Sequence, residues 1–281
     1  MSRIAYVNGA YRPLRHAAVS IEDRGFQFAD AAYEVWGVRA GRLLDDAGHY
    51  KRLHRTLSEL RIAWKMPDRS LGAILRETMR RNRVRDGIVY LQISRGVASR
   101  DHVFPPPATP PTIVVTAKTL NPKSLDARAQ NGIAVTTTPD IRWDRCDLKT
   151  VGLLPNVLAR QAAKEQGAFE AWFVDADGLV TEGTASNAWI VDAQGRLRTR
   201  ALSNAILHGV TRATLVKLAE ERQIPIVEEA FSVEDAKSAR EAFITSASNA
   251  AVPVIAIDGA RIGEGKPGPV ALRLRAAYFG A

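Results

Sequence analysis

Lys149 stands near the end of Ile141-Arg142-Trp143-Asp144-Arg145-Cys146-Asp147-Leu148-Lys149-Thr150, and Glu182 follows in Thr181-Glu182-Gly183-Thr184-Ala185-Ser186-Asn187. A lysine amine condenses with an aldehyde only when it is unprotonated. The reference lysine pKa is about 10.4, so that chemistry needs burial or neighbouring cations to favour the neutral amine. Arg142 and Arg145 lie close in sequence, and Val151, Leu153 and Leu154 offer apolar cover. A carboxylate such as Glu182 can hold a ring nitrogen protonated. Taken singly, Lys149 reads as a surface-loop lysine and Glu182 as a glutamate in a polar turn with hydroxyl caps.

Taken together, the two segments supply the amine and the carboxylate that pyridoxal 5′-phosphate chemistry requires, and they point to an enzyme that handles amino acids. A phosphate also needs oriented N–H donors, best supplied by a helix start. Leu207-His208-Gly209-Val210-Thr211-Arg212 is placed to open the last long helix, and Thr245-Ser246-Ala247-Ser248-Asn249 is a small-residue loop after a strand. Each reads equally as an ordinary cap or turn. Arg52, on the first amphipathic helix, is the candidate phosphate arginine, although helix arginines are commonly solvated. Arg100-Asp101-His102 could grip a carboxylate by two parallel hydrogen bonds, or form an exposed basic loop.

These residues must be positioned by a mixed set of elements. Ile4 to Val7 and Tyr11 to Leu14 flank Asn8-Gly9, a hairpin signal. Strands are expected at Tyr33 to Val38, Leu43 to Leu44, Ile88 to Ser94 and Thr112 to Ala117. Leu53, Leu57 and Leu60 follow helical spacing, as do Leu71, Ile74, Leu75 and Met79. Gly96 to Pro111 carries five prolines and reads as a stiff loop. Beyond it come strands at Ile133 to Thr138, Ala171 to Val174, Ala188 to Val191 and Phe243 to Thr245. Helices are expected at Asn156 to Gln166, stopped by Gly167, and at His208 to Arg222. The polar stretch at 119–130 is taken as a linker, giving domains at 1–118 and 131–281.

Composition narrows the classes. With 281 residues, 46% hydrophobic and 25% charged, the chain has ample material for a packed core. The net charge of +9 is spread along the chain, with a local cluster only at Arg80, Arg81, Arg83 and Arg85. A nucleic-acid-binding module would concentrate it on one face. Cys146 is the single cysteine, which excludes an intramolecular disulfide and a cysteine zinc cluster. The amino-terminal residues lack a hydrophobic signal core, and the longest apolar run, Ala250 to Ile257, is too short to span a bilayer and contains Pro253. A cytoplasmic setting is the expectation.

Several ordered motifs carry a family resemblance. They are Glu22-Asp23-Arg24-Gly25-Phe26-Gln27-Phe28-Ala29-Asp30, Tyr33-Glu34-Val35, Ser99-Arg100-Asp101-His102, the Lys149 segment, Thr181-Glu182-Gly183, Gly209-Val210-Thr211-Arg212 and Phe243-Ile244-Thr245-Ser246. Through nearly its whole length the chain resembles the fold-type IV pyridoxal phosphate enzymes, and among them the D-amino acid transaminases. The resemblance implies a mixed α/β (α+β) fold, with a smaller N-terminal α/β domain and a larger C-terminal pseudo-barrel domain. It implies that Lys149 binds the cofactor aldehyde and shuttles the substrate α-proton, and that Glu182 pairs with the pyridine nitrogen. Arg52, Val210 and Thr211, with the turn at Ser246 and Ala247, would hold the phosphate, and Leu207 would pack on the ring. Tyr33, Arg100 and His102 would trap the α-carboxylate of a D-amino acid, His102 coming from the neighbouring subunit of a homodimer. A 2-oxo acid such as 2-oxoglutarate or pyruvate would accept the amino group.

Ala247 and Ala185 stand where such relatives carry hydroxyl residues, and Asn156 after Gly152-Leu153-Leu154-Pro155 fits other members of the family. Alternatives within the fold are an aminodeoxychorismate lyase, a branched-chain L-amino acid transaminase and an (R)-amine transaminase. A basic nucleic-acid-binding protein is the alternative outside it.

Overall fold

The computed structural model describes residues 3–280, which group into two compact units. The first comprises residues up to Pro122 together with Leu148–Gly152, and the second comprises Lys123–Asp147 and the residues from Leu153 onward. The chain therefore passes from the second unit into the first for five residues, Lys149 among them, and then returns.

The first unit is a six-stranded sheet built from β1 (Ile4–Val7), β2 (Ala10–Pro13), β3 (Ala31–Arg39), β4 (Arg42–Leu43), β5 (Gly87–Ser94) and β6 (Thr112–Thr119). Its order is β2-β1-β6-β5-β3-β4, antiparallel throughout. Asn8 and Gly9 both take positive φ, the requirement of the tight hairpin their sequence signals. A short helix α1 (Arg24–Phe28) precedes β3, and α2 (Asp46–Glu59) and α3 (Asp68–Arg81) follow β4. The helices bury Leu53 and Leu57, and Leu71 and Leu75, at helical spacing against Trp36, Val89 and Leu91 of the sheet. Each such leucine contributes about 1.5–3 kcal/mol by leaving water.

The second unit holds α4 (Pro122–Asn131), β7 (Ile133–Pro139), α5 (Leu154–Glu165), β8 (Glu170–Val174), β9 (Val180–Gly183), β10 (Asn187–Val191), β11 (Leu197–Thr199), α6 (Val210–Glu221), β12 (Ile226–Glu228), α7 (Val233–Lys237), β13 (Glu241–Ser246), β14 (Asn249–Ile257), β15 (Ala260–Arg261) and α8 (Pro269–Phe279). Its sheet runs β12-β11-β10-β13-β14-β7-β8-β9, with β15 on β14, and mixes parallel and antiparallel pairs. β9 ends the strand order, yet it is joined to β10 by a turn in which Gly183 N–H donates to Ser186 O at 2.7 Å. The sheet thus curls back toward itself. Both faces are covered: Ala188 and Ile190 of β10 enter one core with Trp172 and Phe231, and Trp189 and Val191 enter another with Leu215, Phe243 and Leu274.

Three features differ from the sequence expectation. Residues 119–130, expected as a linker, are largely helix α4, whose polar composition reflects a single buried residue, Ala129. The run containing Pro253, not among the expected strands, is strand β14, in which Pro253 lies opposite Phe243 of β13. The helix at Val210 is not the last long one, because α8 follows; its Pro269 start and Gly280 stop are the usual helix punctuation.

Candidate active site

In the first unit, β4 pairs only with the end of β3, which leaves the earlier part of that edge open. The Lys149 segment fills it. Tyr33 N–H donates to Lys149 O at 2.9 Å, Val151 N–H donates to Ala31 O at 3.2 Å, and Ala32 bridges Thr150. This fixes the backbone of Lys149, and its Nζ lies 4.2 Å from the centroid of the Tyr33 ring. Tyr33 in turn lies 5.6 Å from the Tyr90 ring, whose hydroxyl donates to Gln92 Oε1 at 2.8 Å.

Alternation along β3 sends Tyr33 to one face and Glu34 to the other, between Ala32 and Trp36. Glu34 is fully buried there. Arg52 grips it with two bonds, Nε to Oε1 at 2.7 Å and Nη2 to Oε2 at 2.9 Å, and His49 Nδ1 is 2.8 Å from Oε2. Burial works against the carboxylate charge, but Arg52 and His49 outweigh it and hold the Glu34 carboxyl at about 2. Arg52 is therefore a buried, paired arginine, not the solvated one that helix position alone suggests.

Arg100 and His102 are both exposed. They gather at Phe28, with the Arg100 guanidinium 5.1 Å and the His102 ring 5.5 Å from its centroid. Buried Arg24 anchors their loop by donating to the carbonyls of Asp101 and Val103. Within one chain the structure brings Tyr33 to Lys149 and Arg100 to His102, but gives neither of the latter two a hydrogen bond or ring contact with Tyr33.

In the second unit, Glu182 lies on strand β9 and not in the turn after it, and is 4% exposed. Arg142 Nη1 reaches its Oε1 at 2.6 Å, Asn187 Nδ2 reaches Oε2 at 3.0 Å, and Leu207 N–H lies 3.0 Å from both oxygens. Arg142 also pairs with Asp140 at 2.7 Å. Burial disfavours the Arg142 charge, yet Asp140 and Glu182 raise its pKa above the ordinary arginine value. Arg145 pairs with Asp147 at 2.9 Å. Both arginines expected to press on Lys149 are thus committed to carboxylates.

Asn187 joins this carboxylate to the start of α6. Its Nδ2 donates to Leu207 O at 3.0 Å, and a Cβ on Gly209 would stand 2.0 Å from its Oδ1. Only glycine permits that approach. Gly209 caps α6 without a side-chain bond, and the buried Thr211 Oγ1 has no partner among the described residues. The first N–H groups of a helix have no partner within it. Helix N–H donors beside an unsatisfied hydroxyl fit a phosphate group, and a buried carboxylate held by an arginine fits a protonated ring nitrogen. Ser246 and Ala247 lie at the β13–β14 turn, where Asn249 Nδ2 lies 3.4 Å from Ser246 Oγ.

Sequence reasoning missed Glu34, Asp140, Asn187 and the clamp role of Arg142. The signal for Glu34 was present: a glutamate among apolar residues on the inward positions of a strand must have a buried cation. Asn187 gave none, because its importance lies in a contact with Gly209, 22 positions on.

Residues 31–257 match the family described as amino-transferase class IV. The chain is similar to the D-alanine aminotransferase of Bacillus licheniformis, 39% identical over 270 residues and covering 96% of this chain and 94% of that one. It is also similar to the D-alanine aminotransferase of Staphylococcus haemolyticus, 37% identical over 273 residues, with 97% and 95% covered. The crystal structure of the T.th. branched-chain amino acid aminotransferase with pyridoxamine 5′-phosphate superposes with a TM-score of 0.88 at 25% identity, covering 99% of this chain and 93% of that one. The chain belongs to the class IV aminotransferases.

Proposed function

We propose that this protein transfers the amino group of a D-amino acid, such as D-alanine or D-glutamate, to a 2-oxo acid by two half-reactions on pyridoxal 5′-phosphate. The observation that carries the reading is the linked pair of groups around Asn187: a clamped carboxylate at Glu182 and the open start of α6 at Thr211.

Pyridoxal phosphate, when bound, supplies an aldehyde for the amine and an electron-withdrawing ring that makes the substrate α-hydrogen acidic. Glu182, oriented by Arg142 and Asn187, holds the ring nitrogen proton. The N–H groups of Val210 and Thr211, the Thr211 hydroxyl and the Ser246–Ala247 turn hold the phosphate. In the first unit, Arg52 is a phosphate candidate by family resemblance, its guanidinium fixed by Glu34; Leu207 would pack on the ring. Lys149 Nζ would hold the cofactor aldehyde and, as a free amine, would take the substrate α-proton and hand it back, so that the proton is moved and not lost. Such acid–base work contributes about 10²–10⁴-fold.

Tyr33, Arg100 and His102 support D-selectivity. A carboxylate fixed by them determines which α-hydrogen faces Lys149. The names of the two relatives most similar in sequence among those above support the same choice. A homodimer belongs to this reading, with His102 serving a second copy of the chain; the exposed Ile21, Phe26 and Val103 of the first unit are apolar surface for such a contact. Among the described residues no helix is long and apolar enough to cross a membrane.

Mixing the purified protein with D-alanine and 2-oxoglutarate tests the reading. Pyruvate should form, together with a change in the visible absorbance band, and L-alanine should give neither. Turnover of L-alanine alone would overturn the assignment of handedness.

A further inference from the structure

One buried carboxylate of the second unit has no part in the chemistry above. Glu170, at the start of β8, is 1% exposed. Its carboxylate accepts from the Thr184 hydroxyl, from the Ser186 hydroxyl at 3.0 Å and from Arg160 Nη1 at 2.7 Å. Thr184 and Ser186 belong to the turn between β9 and β10, whose two ends carry Glu182 and Asn187.

The backbone around the tip of that turn is engaged as well. Thr184 N–H donates to Ala171 O at 3.0 Å, Asn156 Nδ2 donates to Thr184 O at 2.8 Å, and Gly183 N–H donates to Ser186 O at 2.7 Å. A Cβ on Gly183 would stand 2.3 Å from Ser186 Oγ and 3.2 Å from Glu170 Cγ. The turn is pressed directly onto the glutamate. It needs no buried charge to close, since the backbone bonds close it already. What the carboxylate adds is a rigid tie from the tip to β8.

We propose that Glu170 is a positioning residue: by tying down Thr184 and Ser186 it sets the spacing of Glu182 and Asn187, and through Asn187 the spacing of Glu182 from the start of α6. The inference rests on the cofactor reading given above. Misplacing Glu182 weakens its bond to a ring nitrogen, and misplacing Asn187 disturbs Leu207 and Gly209. Arg160 neutralises Glu170 and is itself stacked 4.4 Å from the Phe169 ring, so the tie is anchored at both ends. Neighbours that hold a binding group in place govern its affinity, as the outer partners of metal ligands do by about 10–100-fold.

The test uses the holoenzyme and three variants. Glu170→Ala removes the tie, and Thr184→Val with Ser186→Ala removes its hydroxyls while leaving the Glu170–Arg160 pair. Leu274→Ala, in the core under α8, lowers stability without touching the turn. Pyridoxal phosphate retention on dilution and the pH midpoint of the visible band are measured below each variant's melting temperature. Both turn variants should lose the cofactor at concentrations roughly 10-fold higher than wild type and shift the midpoint, and Leu274→Ala should do neither. If Glu170→Ala does not fold, the double variant decides. Wild-type retention and midpoint in a folded turn variant would overturn the proposal. A wild-type protein that binds no pyridoxal phosphate would overturn the reading beneath it as well.

Discussion

Arg142 Nη1 lies 2.6 Å from Glu182 Oε1, with the two side chains only 7% and 6% exposed. The same guanidinium holds the partly buried Asp140, so one cation neutralises two carboxylates. Arg142→Met should therefore cost about 3–5 kcal/mol of stability, the usual penalty for stranding a buried charge. Denaturant unfolding measures it. A loss below about 1 kcal/mol would mean that the pair is wetter than its geometry indicates.

Thr211 offers the opposite case. Its buried hydroxyl has no partner among the described residues, so Thr211→Val should leave the melting temperature of cofactor-free protein unchanged or raise it slightly. Affinity for pyridoxal phosphate should fall by about 1.5–3 kcal/mol, the range for a hydrogen bond to a charged group. Titration of wild type and variant reads both quantities. Unchanged affinity would remove Thr211 from the phosphate site.

How far the chain could be read without its structure depends on the range of the contacts. The Asn8-Gly9 hairpin, the leucine spacing of α2 and α3 and the stop at Gly167 are local, and sequence expresses them. The place of Lys149 is not local: it follows from an open edge on β3 that Val151 and Tyr33 complete. Likewise Arg142 and Arg145 look like neighbours of Lys149 in the chain, yet each turns to a carboxylate. Composition does not express the helix within 119–130, because its polar residues form the outer faces. The roles proposed for Lys149 and Glu182 rest on the two segments taken together and on the family resemblance, because alone each is an ordinary polar residue.

Acid should weaken the first unit through Glu34. Its folded value, about 2, lies below the ordinary 4.5, so the stabilisation is complete above about 4.5 and is lost as pH falls toward 2. The carboxyl of Asp30 in the same unit is also held low despite partial burial, by Arg95 and Arg24, and that of Asp140 in the second unit by Arg142; both add slope of the same sign to the whole chain. Glu34→Gln should lower stability at neutral pH and flatten its dependence between about pH 4.5 and 2. Urea midpoints across that range provide the comparison, and parallel curves for wild type and variant would contradict the assignment.

The central claim is a covalent bond at Lys149. Borohydride reduction of the purified holoenzyme, followed by trypsin and mass spectrometry, tests it directly. The account predicts the pyridoxyl group on Lys149, in an uncleaved peptide running from Cys146 to Arg160, and no label in Lys149→Ala. A label on any of the other eight lysines, or on none, would contradict it.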